Sequence, residues 1–103
     1  RDADILVMPS YREGLPNSLL EAMASGCSVI ASSVGAIPDV IKNKQNGILI
    51  EKSNIDQLAN ALIYLSSSSQ IRIEMGRLAR DTIRHQHDVE IIWKDVFKLL
   101  NYQ

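Results

Sequence analysis

Apolar and polar residues come in blocks along this chain, and the block lengths divide it into strands, loops and helices. Ile5-Leu6-Val7-Met8 is an unbroken apolar run of strand length, and Pro9 ends it by removing a backbone donor. Continuous rather than alternating hydrophobicity predicts a strand covered on both faces, as in a parallel sheet. Ser10 to Pro16 is polar with Gly14 and Pro16 as breakers, which predicts a loop. Leu19, Leu20, Met23 and Ala24 then recur at helical spacing, with Asn17 placed to cap the helix and Gly26 to stop it in a left-handed conformation. Ser28 to Ser32 is a second strand. Strand, helix and strand within so few residues predict a parallel pair with a right-handed crossover.

Val34 to Asp39 forms a second loop at the same sheet edge, and Pro38 opens a short helix running to about Lys42. Asn46-Gly47 is a tight-turn pair before a third strand, Ile48-Leu49-Ile50; the polar segment 42–45 argues against a hairpin. The remainder is helical. Ser53 and Asp56 imitate a capping box, and Ile55, Leu58, Ala59, Leu62 and Ile63 form a stripe expected to be one apolar face. Ser66 to Ser69 interrupts the pattern. Ile71, Met75, Leu78, Ala79 and Thr82 line a second helix, with Arg72, Arg77, Asp81 and Arg84 on its outer side. Asp88 is expected to cap a third, carrying Val89, Ile92, Trp93, Val96 and Leu100. Trp93 and Phe97 are more bulk than a short helix needs over three strands, which predicts docking on a further domain. The expected fold class is α/β, a Rossmann-like three-layer fragment with a short parallel sheet of about three strands and C-terminal helices.

Composition narrows the partners. With 103 residues, 46% hydrophobic and 22% charged, the chain has ordinary globular values for one small domain. Eleven Lys and Arg against twelve Asp and Glu give a formal net charge of −1, so no bulk field favours nucleic acid. Apolar runs of a few residues fall far short of the ~20 that a spanning helix needs. The single cysteine, Cys27, reads as a small core residue and fits a reducing compartment. A chain that passes from Arg1-Asp2-Ala3-Asp4 straight into a strand, without an initiator Met, is expected to be part of something longer.

Chemistry concentrates in Glu13 to Glu21, at the carboxyl end of the first strand, where open α/β sheets bind ligands. A helix N-terminus presents unpaired amides and a positive dipole end, so the amides near Asn17, Ser18 and Leu19 can hold a phosphate. Gly14 lets the backbone approach a ligand closely. Glu13 on the loop and Glu21 one turn into the helix can each accept from sugar hydroxyls. A solvated loop carboxylate and a helix-surface carboxylate are the competing explanation for such a pair. His85 and His87, at an expected helix end, could bind metal only with a third ligand, and none is near in sequence.

The string Glu13 to Gly26, followed by 29–39 and by Asn46-Gly47-Ile48-Leu49-Ile50, resembles the group 1 retaining glycosyltransferases of the GT-B fold. Their hallmark is two glutamates separated by seven residues, the spacing of Glu13 and Glu21. The resemblance implies that Glu13 contacts donor-sugar hydroxyls at the reacting centre and that Glu21 holds the nucleotide ribose. It further implies that backbone amides of Leu15, Asn17, Ser18 and Leu19 face the sugar and diphosphate, with Gly14 beside them. The implied activity is transfer of a sugar from a nucleoside diphosphate sugar to an acceptor, with retention and without cofactor or metal. On this resemblance residues 1–103 are the second half of the donor-binding domain, and the diphosphate-neutralising basic pair, the base-reading segment and the N-terminal acceptor domain lie upstream. The protein is expected in the cytoplasm or at the cytoplasmic membrane face, with any membrane association made through the full-length enzyme. Gly35-Ala36 and Asp39 depart from the family pattern of two glycines and a glutamate. Two alternatives remain open at this level: a GT-B-fold sugar-nucleotide epimerase, and a flavodoxin-like signalling or interaction domain.

Overall fold

The computed structural model describes the backbone of residues 4–8 and 17–99, and side chains of 4–8 and 17–85. Three parallel strands, β1 (Ile5–Met8), β2 (Ser28–Ser32) and β3 (Ile48–Ile50), form one sheet in the order β1-β2-β3. Ile5 pairs with Ser28 and Met8 with Ala31; Ile30 pairs with Ile48 and Ser32 with Ile50. All five residues of β2 are buried, as continuous hydrophobicity in a central parallel strand requires. The parallel pairing of β3 agrees with the rejection of a hairpin at Asn46-Gly47.

Helix α1 (Asn17–Ala24) joins β1 to β2, and the short α2 (Ile37–Val40) lies between β2 and β3. Asn17 is already helical, so the capping position precedes it, outside the described residues. Gly26 takes φ 84, the left-handed stop expected of it. Helix α3 (Ile55–Ser66) and helix α4 (Ser69–Leu99) follow.

Two cores flank the sheet. On one face Val29 and Ala31 meet Leu19 and Met23 of α1, Ile37 and Val40 of α2, and Ala79 of α4. On the other, Ile30, Ile48 and Ile50 meet Ala61 and Leu65 of α3 and Met75 of α4. Because Met75 and Ala79 belong to opposite cores, α4 spans both layers. It does so at the amino end of β2: the Ser28 hydroxyl donates to the Arg72 carbonyl at 2.9 Å. A Cβ on Gly76 would stand 1.9 Å from the Gly26 carbonyl oxygen, so α4 and the α1–β2 turn meet backbone to backbone.

The helical half differs from expectation in four places. Asn54, not Ser53, caps α3: its side chain accepts from the Gln57 amide at 2.9 Å, while Ser53 takes φ 63 ahead of it. The α3 stripe is rotated, since Ile55 is 78% and Ile63 67% exposed, while Ala61 and Leu65 are buried with Leu58 and Leu62 half-buried beside them. A period of 3.6 locates stripes but does not say which one meets the sheet. Arg72 is half-buried rather than outward, and its guanidinium donates to the Leu65 carbonyl at 2.5 Å, satisfying the end of α3.

The fourth difference is that α4 continues through Asp88, so the second and third expected helices are one. From 70 to 99 the chain has one glycine and no proline, and an interior Asp costs only ~0.7 kcal/mol against Ala, too little to break a helix. The side chains of Trp93 and Phe97 lie outside the described residues, as does Leu100.

The two faces of α3 are separable by truncation. Leu65→Ala is expected to cost about 2–5 kcal/mol, and Ile63→Ala no more than about 0.5, read from chemical unfolding midpoints. Gly76→Ala should also destabilise, by at least about 1–3 kcal/mol, because the neighbour it meets is backbone and cannot rotate away.

Candidate functional site

The carboxyl edge of the sheet gathers the ends of all three strands. After β1 the chain leaves through residues 9–16 and returns as α1. The Ser18 hydroxyl donates to the Met8 thioether at 3.7 Å, so the two ends of this segment are tied together. Glu13, Gly14 and Leu15 lie outside the described residues. Asn17, Ser18 and Leu19 form the first turn of α1, whose amides have no acceptor within the helix. Asn17 and Ser18 are exposed, while the Leu19 side chain is fully buried and anchors the turn to the core. Glu21 is exposed one turn further along α1. The helix closes just after it, where the Ser25 amide and hydroxyl both donate to the Glu21 carbonyl, at 3.0 and 2.9 Å.

After β2 come Ser33, Val34 and Gly35. Gly35 takes φ 54, whereas Ala36 sits at φ −86, ψ −2, a conformation open to any residue. The left-handed position therefore falls on the retained glycine, and Ala36 imposes no strain. After β3 come Glu51 to Asn54. The Gln57 carboxamide accepts from the Glu51 amide at 2.5 Å and donates to the Glu51 carboxylate at 2.9 Å, which fixes this loop. Between the strand ends and α3 is a cavity of about 150 Å³, lined by Met8, Ile30, Ser32 and Ile50 of the strands together with Asn54 and Ile55. Asn54 and Gln57, which shape this edge, were not singled out from sequence; an Asn with Gln three residues on was the available signal.

Other candidates fall away from this edge. His85 is exposed within the continuous α4, not at a helix end, and the side chain of His87 is outside the described set. Among the described residues no three His, Cys, Asp or Glu side chains converge as metal ligands. Cys27 is half-buried against the α1-side core, in keeping with a packing role. Lys44, Tyr64, Gln70 and Ile73 line a larger depression, of about 580 Å³, near the amino end of β3.

Residues 1–82 match the model of the family described as Glycosyl transferases group 1, and the chain belongs to that family. It is 40% identical over 79 residues to a D-inositol 3-phosphate glycosyltransferase of Paenarthrobacter aurescens (strain TC1), covering 77% of this chain and 19% of the relative. A UDP-Gal:alpha-D-GlcNAc-diphosphoundecaprenol alpha-1,3-galactosyltransferase of Escherichia coli is 35% identical, over 79% of this chain and 21% of its own length. Among solved structures, the C-terminal domain of the group 1 glycosyl transferase family protein LpcC from Francisella tularensis superposes with a TM-score of 0.75 at 38% identity, covering 82% of this chain and 43% of that one. The chain thus spans about a fifth of the length of these curated relatives. The expected α/β fold class and family resemblance both hold, and neither the epimerase nor the signalling-domain alternative finds support.

A surface ion-pair network lies on α4. Arg77 donates to both oxygens of Glu74, at 3.0 and 2.7 Å, and reaches Asp81 at 3.2 Å. The hydrogen bond from Arg77 holds the Glu74 carboxyl below its ordinary value and raises the guanidinium. A carboxyl depressed in the folded state stabilises above its unfolded pKa, and that contribution is lost as pH falls through the folded pKa. Both side chains are about half exposed, so the effect on stability is small. Arg77→Ala should raise the Glu74 pKa toward the ordinary carboxylate range in an NMR titration.

Proposed function

We propose that this chain is the donor-binding part of a retaining glycosyltransferase that moves a sugar from a nucleoside diphosphate sugar to an acceptor in glycan, polysaccharide or glycolipid synthesis. The observation that carries the proposal is the placement of α1, whose first-turn amides, without acceptors in their own helix, lie at the carboxyl edge with the exposed Glu21 carboxylate one turn beyond. The E. coli relative, named for a UDP-sugar donor and a lipid diphosphate acceptor, supports the substrate class.

In this reading the amides of Leu15, Asn17, Ser18 and Leu19 receive the donor diphosphate, and Gly14 lets the backbone approach it. Glu21 accepts from the vicinal ribose hydroxyls, whose spacing suits one carboxylate. Glu13 accepts from hydroxyls of the transferred sugar and stabilises charge at the reacting carbon rather than attacking it. As the glycosidic bond to the diphosphate breaks, negative charge grows on the leaving oxygen, and fixed amide dipoles stabilise it without reorganising. The leaving phosphate takes the acceptor proton on the same face, which is the route to retention. No resident metal or cofactor enters this scheme. The other walls of the donor site, the basic groups facing the diphosphate and the acceptor domain come from the rest of a full-length enzyme.

The lipid-linked acceptor of the relative suggests work at a cytoplasmic membrane face. No helix among the described residues is long and apolar enough to cross a membrane.

In the full-length enzyme, Glu13→Ala and Glu21→Ala should each lower transfer by at least about tenfold, the effect of losing ~1.4 kcal/mol of transition-state stabilisation. Glu21→Ala should also weaken nucleotide binding, measured by calorimetry with the free nucleoside diphosphate. Wild-type affinity in that variant removes the ribose role from Glu21.

A further inference from the structure

The Asn46-Gly47 pair has a chemistry that the donor site does not use. An Asn followed by Gly is the dipeptide most prone to intramolecular deamidation, because the unsubstituted glycine leaves its amide nitrogen free to approach the preceding side chain. Here that side chain is 5% exposed and all its polar atoms are engaged. Its Oδ1 accepts from the Lys42 amide at 2.7 Å, and its Nδ2 donates to the Val40 carbonyl and to the Thr82 hydroxyl, each at 3.0 Å. Thr82 in turn donates to the Leu78 carbonyl at 2.8 Å, so its oxygen is oriented as an acceptor for Asn46. The turn before β3 is thereby pinned to the middle of α4.

We propose that Asn46 is a modification site gated by the fold: the Asn46–Thr82 contact protects it from deamidation, and local opening of the 42–47 turn away from α4 commits it to irreversible conversion. The Gly47 nitrogen loses its proton and bonds to the Asn46 Cγ. The Cγ–Nδ2 bond then breaks, and the nitrogen leaves as ammonia, carrying that proton. Water opens the resulting succinimide at either carbonyl and yields aspartate or isoaspartate. No electrons are transferred.

The native arrangement opposes this route at the leaving group, since Nδ2 is held by two acceptors in a site closed to water. Reversal is blocked in the product. A carboxylate at position 46 has no N–H for the Val40 carbonyl, and an isoaspartyl link adds a backbone carbon immediately before β3, where the register with β2 is set. Each opening event thus carries a chance of permanent release, and the modified fraction records how often the turn has opened.

The test is peptide mapping of the full chain incubated at physiological temperature in mildly alkaline buffer, folded and in concentrated urea. Asn46 in the folded protein should convert at least about tenfold more slowly than in urea, which corresponds to ~1.4 kcal/mol or more for local opening. Thr82→Val should raise the folded-state rate several-fold and Thr82→Ser should restore protection, circular dichroism confirming that both remain folded. In the wild-type chain, sub-denaturing urea should accelerate conversion before the global transition. Equal rates in folded and unfolded protein overturn the proposal. So does wild-type protection in Thr82→Val, or conversion that tracks only global unfolding should that variant not fold.

Discussion

The backbone contact between Gly26 and Gly76 is the constraint on which the rest of the described structure depends. Helix α4 belongs to two cores at once, with Met75 in one and Ala79 in the other, and it can reach both only by crossing the amino end of β2 at close range. A single Cβ at position 76 would close that passage. Gly26 contributes doubly, as the left-handed stop of α1 and as the surface on which α4 rests. The Ser28 hydroxyl on the Arg72 carbonyl and the Arg72 guanidinium on the Leu65 carbonyl continue the same seam, so α1, β2, α3 and α4 are joined at one end of the sheet.

That arrangement leaves the opposite end for chemistry. The carboxyl edge carries the first turn of α1, the Gly35 turn and the Glu51–Asn54 loop, each anchored from beneath by a buried residue: Leu19, Ile37 and Ile50 respectively. Rigid packing at the amino end and open backbone groups at the carboxyl end are two consequences of parallel topology, because every strand delivers its following loop to the same side. The proposed donor site uses the amide dipoles of the first turn of α1 and the exposed Glu21 carboxylate on that helix. Buried Asn46 supports it from a distance by fixing the turn that leads into β3.

Legibility in the sequence followed the locality of the cause. The strands 5–8, 28–32 and 48–50 were readable because short unbroken apolar runs between turn residues have few other solutions. The stop at Gly26 and the proline-opened α2 were readable for the same reason. The face of α3 was not, since Ile55 and Ile63 follow the helical period as well as Ala61 and Leu65 do, and only the sheet beneath decides which pair it covers. Nor was the continuity of α4, where Asp88 offered a capping signal, but no proline interrupts 70–99 and an interior Asp costs too little to stop a helix.

By itself, then, the sequence determined the strand and helix order, the parallel sheet, the Glu13 and Glu21 spacing and the family, all properties of residues close along the chain or of a long matched string. The tertiary structure decided which side of α3 is buried, that Arg72 ties two helices rather than facing water, and that a glycine in mid-helix is a contact point and not a weakness. It also decided that Asn46 is buried, with three hydrogen bonds to its side chain. These depend on groups tens of residues apart, such as Asn46 with Thr82 and Gly26 with Gly76, whose meeting is set by the packing of whole elements and leaves no periodic trace in either partner's neighbourhood.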